Sequence, residues 1–295
     1  MHRWSDSPVV SFSRNGQALE LGRSGADPVL HLHGSEGLGV APVEVEDSER
    51  LGGDGSIVRG VRFGKREVFI PLLAHMESTG DLHEWRRSLN RLLAPTPGDP
   101  SGSLVDITVD DPSTGTTRIA RGIYTGGLEG EFGSDYHGDW QTLGLTFECP
   151  DPWWLGPEKT VDLKVNPGAK PFLSDTVPFF PVVLAQSTVQ GQFTVEVEGD
   201  GPVWPVWEIV GPGSDLSIRR GSERLFIGGE FAAGSVTRVY TRPRRIVPDR
   251  WDDVSLDSSL FSLRPGQNRL DVSMVGATPE TLVRLVWQAR YLEGV

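Results

Sequence analysis

Apolar and polar residues alternate with a period of two over most of this chain, the spacing of strands whose side chains face opposite sides of a sheet. Residues 9–12, Val-Val-Ser-Phe, run into Asn15-Gly16, a pair suited to a tight hairpin turn, and the alternation resumes at Leu19-Glu20-Leu21. Residues 29–33 alternate again, with Leu30 and Leu32 on one face and His31 and His33 on the other. Residues 34–39 read as a loop. The pattern predicts a strand pair at 58–63 and 67–73, turned at Gly64-Lys65. It predicts a second pair at 104–109 and 117–124, around Asp111-Pro112-Ser113-Thr114-Gly115. Residues 140–149 form a further strand, with Leu143, Leu145 and Phe147 on one face.

One segment departs from this period. Leu82, Trp85, Leu89, Leu92 and Leu93 recur at helical spacing, so residues 82–93 predict one amphipathic helix. Asp81 or Thr79 is placed to cap its start, and Pro95 and Pro97 stop it. Further on, Pro150-Asp151-Pro152 ends the strand before it, and a domain boundary is placed after the following aromatic pair, dividing the chain into 1–158 and 159–295. The second part alternates cleanly at 193–198 and reads as further strands at 205–210, 216–218, 224–227, 235–241, 269–275 and 282–291, with turns at 199–202 and Gly221-Ser222. Many short strands at regular spacing predict a mainly β fold with a sandwich in the second half. No internal repeat is visible.

Composition narrows the function. The 36 glycines and 22 prolines suit short strands and turns. Forty acidic residues against 28 basic give a net charge of -12, which argues against stable nucleic-acid binding and against an anionic membrane surface. No apolar run approaches the length of a membrane-crossing helix, so no membrane insertion is expected. The first residues lack the apolar core of a signal peptide, so synthesis in the cytoplasm without export by that route is expected. The single cysteine, Cys149, permits no internal disulfide and reads as a small buried hydrophobe.

Catalytic and metal signatures are missing. No G-x-S-x-G elbow, phosphate-binding G-x-x-x-x-G-K, H-E-x-x-H or paired C-x-x-C occurs. His31 and His33 share a strand face and are two candidate metal ligands, with a third to come from His75, His83 or an aspartate. The plainer reading is a pair of polar residues on a solvent or interface face. Asp110-Asp111 and Asp252-Asp253 sit beside turn signals and read as solvated turn residues rather than a glycosidase pair. Nine tryptophans include Trp204, Trp207, Trp251 and Trp287 in the second half. Exposed ones could stack on sugar rings, with Trp204 and Trp251 the candidates; core and interface packing is the alternative. No enzyme class and no cofactor is supported.

Several segments in order resemble the distal tail protein family of siphophages, especially those of actinobacterial phages. The strongest is the strand that runs into Cys149-Pro150-Asp151-Pro152-Trp153-Trp154-Leu155-Gly156, similar to the end of that family's first domain. The helix followed by Pro95 resembles the one packed on its ring domain. Gly201-Pro202-Val203-Trp204-Pro205-Val206-Trp207-Glu208-Ile209 is similar to its "A-x-P-x-W-x-I-x-G-P" stretch, Pro265-Gly266-Gln267-Asn268 to its "L-x-P-G-x-N" turn, and the strand through Trp287 and Tyr291 to its closing strand. The resemblance spans nearly the whole chain. It implies a split-barrel or β-sandwich belt domain with one helix, followed by a galectin-like β-sandwich. It implies a homo-hexameric ring at the distal end of the tail, between the tail tube protein and the tail-associated hub protein, with the tape-measure protein in its lumen. An acidic lumen would let DNA pass without sticking. No catalytic or ligand residue carries over. The competing reading is a two-domain carbohydrate-binding β-sandwich protein involved in host-surface recognition.

Overall fold

The computed structural model describes residues 8–24, 26–129, 137–163 and 188–295. The chain divides into two compact units, one of residues 1–156 with 291–295 and the other of residues 157–290.

In the first unit, strand β1 (Val9–Arg14) pairs with β2 (Gln17–Glu20) across Asn15-Gly16, where both residues hold positive φ, 51° and 78°. That is the geometry of a two-residue hairpin turn, and it explains why asparagine and glycine stand there. The next strands are β3 (Val29–His31), β4 (Val43–Glu49), β5 (Ser56–Phe63) and β6 (Arg66–His75). After helix α1 (Thr79–Leu93) come β7 (Leu104–Asp111), β8 (Thr116–Gly126), β9 (Trp140–Cys149) and the start of β10 (Trp154–Leu163). Antiparallel pairings run β2-β1-β7-β8-β9-β6-β3, and a bridge between Gly22 and Leu30 joins the two ends of that order into a barrel-like cycle. Val10, Phe12, Val68, Ile70, Leu72, Ile107, Val109, Leu145 and Phe147 fill its interior. Phe12 and Phe147 stack at 5.1 Å, an arrangement worth about 0.5–1.5 kcal/mol beyond the area it buries.

Helix α1 turns Leu82, Leu89, Leu92 and Leu93 into this core, as their spacing predicts. Its cap is Ser78, one residue before the expected pair. The Ser78 hydroxyl accepts from the Asp81 N–H at 3.2 Å and donates to the Asp81 carboxylate at 2.6 Å. Asp81 lies inside the first turn and completes the cap instead of being it.

The expected hairpin at Gly64-Lys65 does not form. Strand β6 pairs with β9 over ten residues and with β3, because Arg66, Val68, Ile70, Leu72 and Ala74 all face the interior. Strand β5 pairs instead with β4, whose Val-Glu-Val-Glu-Asp-Ser-Glu sequence gave no strand expectation. Among the described residues these two strands pair only with each other.

In the second unit, β12 (Val206–Val210), β15 (Val236–Tyr240), β16 (Arg245–Val247) and β18 (Leu282–Tyr291) join β10 in the order β16-β15-β12-β18-β10. Strands β11 (Thr188–Val197), β13 (Gly213–Arg220), β14 (Glu223–Phe231) and β17 (Gly266–Val275) form a second sheet, β11-β17-β13-β14. One core takes Trp207, Ile209, Val239, Val283, Leu285 and Trp287 from the first sheet. It takes Val195, Leu216, Ile218, Ile227, Leu270 and Val272 from the second, which makes a sandwich. The fold is mainly β with one α-helix among the described residues. No helix among them is long and apolar enough to cross a membrane.

Candidate functional site

The groups that carry chemistry in the sequence are mostly occupied in holding the fold. Asp111 accepts from Ser113 N–H at 2.9 Å, Ser113 Oγ at 2.6 Å and Thr114 Oγ1 at 2.8 Å, which closes the β7–β8 turn. The Ser113 hydroxyl, then the Thr114 hydroxyl and the Ser113 N–H, hold its carboxyl below the usual carboxylate range. Asp110 accepts from Thr117 Oγ1 at 2.5 Å. In a short 3-10 turn, Trp251–Asp253, Asp253 accepts from Arg250 Nε at 2.6 Å, and Arg250 also donates to the Gly228 carbonyl and covers the Phe231 ring. Asp111 and Asp253 therefore serve turns, and Asp111 is buried rather than solvated.

His31 and His33 line one hollow of about 260 Å³ together with Arg23, Ser35 and Leu38. His31 ends strand β3, and its Nε2 lies 2.6 Å from Ser35 Oγ. Burial, and then the neighbouring His33, hold His31 below the ordinary histidine pKa. His75 lies elsewhere, 3.8 Å from Asp139, and His83 sits on α1. Among the described residues no group of three His, Cys, Asp or Glu is placed to hold a metal ion.

Trp207 and Trp287 are core residues. Trp204 is half-buried with the Arg242 guanidinium 5.5 Å from its ring, and Trp251 is 42% exposed.

The residue that sequence reasoning missed is Arg66, which is 1% exposed. Its Nε and Nη2 donate to the Pro152 carbonyl at 2.9 and 2.7 Å. Nη2 also reaches the Leu292 carbonyl at 3.0 Å, and Nη1 donates to the carbonyls of Gly37 and Gly39. The Trp154 ring lies 5.5 Å from the guanidinium, and Arg66 stands opposite Cys149 in register. This gives the Cys-Pro-Asp-Pro-Trp-Trp stretch a physical reason: it supplies an acceptor, an aromatic face and a small buried neighbour to one buried cation. Burial pushes the Cys149 thiol up to about 12, so the sulfur is a packing group and not a nucleophile. Asn268 likewise explains the Pro-Gly-x-Asn turn. Its amide donates to the carbonyls of Arg264 and Gly266 and its Oδ1 accepts from Arg264 N–H, while Gly266 takes a φ of +86°.

Among the described residues, strands β4 and β5 keep a cluster of apolar side chains exposed. Val43, Val45, Val58 and Val61 are each 55–65% exposed, and Leu51 at the tip is fully exposed. A lone two-stranded ribbon is marginal in water, and exposed apolar clusters mark contact surfaces.

No protein-family model and no curated protein matches the sequence. Solved structures share its fold. The chain is similar to the phage SPP1 Dit (gp 19.1) protein, described as a paradigm of the hub adsorption apparatus in phages that infect Gram-positive bacteria. That likeness covers 96% of this chain and 99% of that one, with a TM-score of 0.64 and 20% identity. It is also similar to a chain of the phage P2 baseplate in its activated conformation with Ca, over 95% of this chain and 97% of that one, with a TM-score of 0.54 and 8% identity. At such identities the likeness is one of fold, and the two-unit, mainly β fold of this chain is the one that these phage hub and baseplate proteins carry.

Proposed function

We propose that this chain is a non-enzymatic structural protein of a phage tail tip. Six copies form a ring that connects the tail tube protein to the tail-associated hub protein, with the tape-measure protein ending in or passing through the lumen. Residues 1–158 serve as the ring-forming belt and residues 159–295 as an outward, galectin-like sandwich. The protein is made in the host bacterial cytoplasm and resides at the distal end of the virion tail, and its motifs resemble those of the actinobacterial-phage members of the distal tail family. The observation that carries this reading is the end-to-end likeness to SPP1 Dit, 96% of one chain on 99% of the other. The hydrogen-bonded Asp111 and Asp253 and the buried Cys149 thiol, all committed to the fold, favour it over an enzyme. The net charge of -12 suits a lumen that DNA traverses without sticking.

Native mass spectrometry over a concentration series tests it. Six copies of the 32.2 kDa chain weigh about 193 kDa, and a closed cyclic assembly should appear as that species or as a monomer–hexamer equilibrium. A chain that stays at 32.2 kDa at every concentration overturns the ring.

The exposure of Trp251 favours a second reading, carbohydrate binding at the host surface. A glycan-array signal from the purified protein that disappears on Trp251→Ala or Trp204→Ala would put this reading first.

A further inference from the structure

We infer that the β4–β5 ribbon is an assembly arm whose apolar face seats in the groove between β2 and α1 of the next copy. The inference rests on the ring reading and assigns the contact within it.

The register defines the arm's two faces. Val43 stands opposite Phe63, Val45 opposite Val61 and, after a bulge, Asp47 opposite Val58, so these six side chains share one face. Phe63, at the base, meets the Trp153 ring edge-on at 5.3 Å, which anchors the arm to its own unit. Val45, Val58 and Val61 lie beyond that anchor and stay exposed. The other face is polar except for Ile57, which stands opposite Ser48 and is 41% exposed. Glu44 accepts from Arg62 at 2.8 Å, and Ser48 accepts from Arg59 at 3.0 Å. Polar cross-strand pairs on one side and bare valines on the other describe a ribbon built to be covered on one face. At about 3.3 Å per residue an eight-residue strand reaches roughly 26 Å, enough to extend well onto a neighbour.

The same unit carries a matching recess. A hollow of about 350 Å³ between β2 and α1 is lined by Leu19, Trp85, Leu89 and Leu92 among others. Trp85 is half-buried, and among the described residues β2 itself pairs only with β1. Arg91 is the one charge in that lining, whereas β4 carries Glu44, Glu46, Asp47 and Glu49. Glu44 and Glu46 face Arg62 within the ribbon, so the complementary charge is Asp47, the carboxylate on the apolar face that would meet Arg91 of the neighbour. A knob and its recess on different parts of one chain make a heterologous contact, the kind that closes into rings.

Two sets of variants, read by native mass spectrometry and by thermal unfolding, test this. In Val45→Lys/Val61→Lys the ring should need at least a tenfold higher concentration, while the monomer unfolds as wild type does, because both positions are exposed in the single chain. Asp47→Arg alone and Arg91→Asp alone should each weaken assembly, and the double reversal should restore it. A wild-type ring that all these variants leave intact overturns the arm and spares the ring. A double reversal no better than either single change overturns the Asp47–Arg91 register. A wild-type chain that never leaves the monomer removes the ring reading and this contact together.

Discussion

Strands β5 and β6 are separated by two residues and carry comparable numbers of branched apolar side chains, yet they meet opposite fates. In β6 every second residue from Arg66 to Ala74 is buried. In β5 no residue is. The difference lies in partners. Strand β6 has a neighbour on each side and a core beneath, while β5 has β4 alone. Alternation records which positions are apolar; whether they are spent inside the chain or kept for another molecule depends on what pairs with the strand.

That contrast can be broken by substitution. The largest loss should follow Arg66→Leu, which leaves the carbonyls of Gly37, Gly39, Pro152 and Leu292 without their donor; about 4 kcal/mol of unfolding free energy should disappear in a denaturant titration. Ile70→Ala, in the fully buried part of β6, should cost about 3 kcal/mol by the same measurement. A smaller effect belongs to pH. The folded state holds His31 below its ordinary pKa, so the unfolded chain binds more protons in that range, and stability should rise as pH climbs through it and level off above. Urea midpoints taken from about pH 5 to 8 should show that rise, and His31→Gln should flatten it. The smallest effect is expected in the arm: Val61→Ala should change monomer stability by less than about 0.5 kcal/mol. A loss there as large as that of Ile70→Ala would mean that the arm is part of the core after all.

The sequence showed the barrel strands and the helix because their apolar residues repeat with one period and face one way. Residues 82, 85, 89, 92 and 93 can do that only on a helix. Strand β4 was hidden because four of its seven residues are acidic, and its two valines read as noise between turns. Strand β10 was hidden by the prolines before it, which mark the end of β9 and not the absence of a strand at Trp154. Arg66 could not be found at all. Its partners are backbone carbonyls from four distant places, and a carbonyl leaves no trace in the residue code. The alternation at 29–33 puts both histidines on one strand face, but the strand stops at His31, so His33 reaches the shared hollow from the loop.

The last five residues belong to the first unit, where Gly294 N–H donates to the Leu38 carbonyl and Arg118 covers the Tyr291 ring at 3.5 Å. Leu292, an acceptor for Arg66, follows it by 226 positions. On a ribosome adding roughly 5–20 residues per second, that gap lasts about 11 to 45 seconds. Through that interval the nascent first unit holds a buried cation with one acceptor still unmade, and the whole second unit is synthesised before the clasp is complete. Completion of the first unit thus waits until the second has been made, and a chain that stops short of Leu292 leaves Arg66 without one of its acceptors.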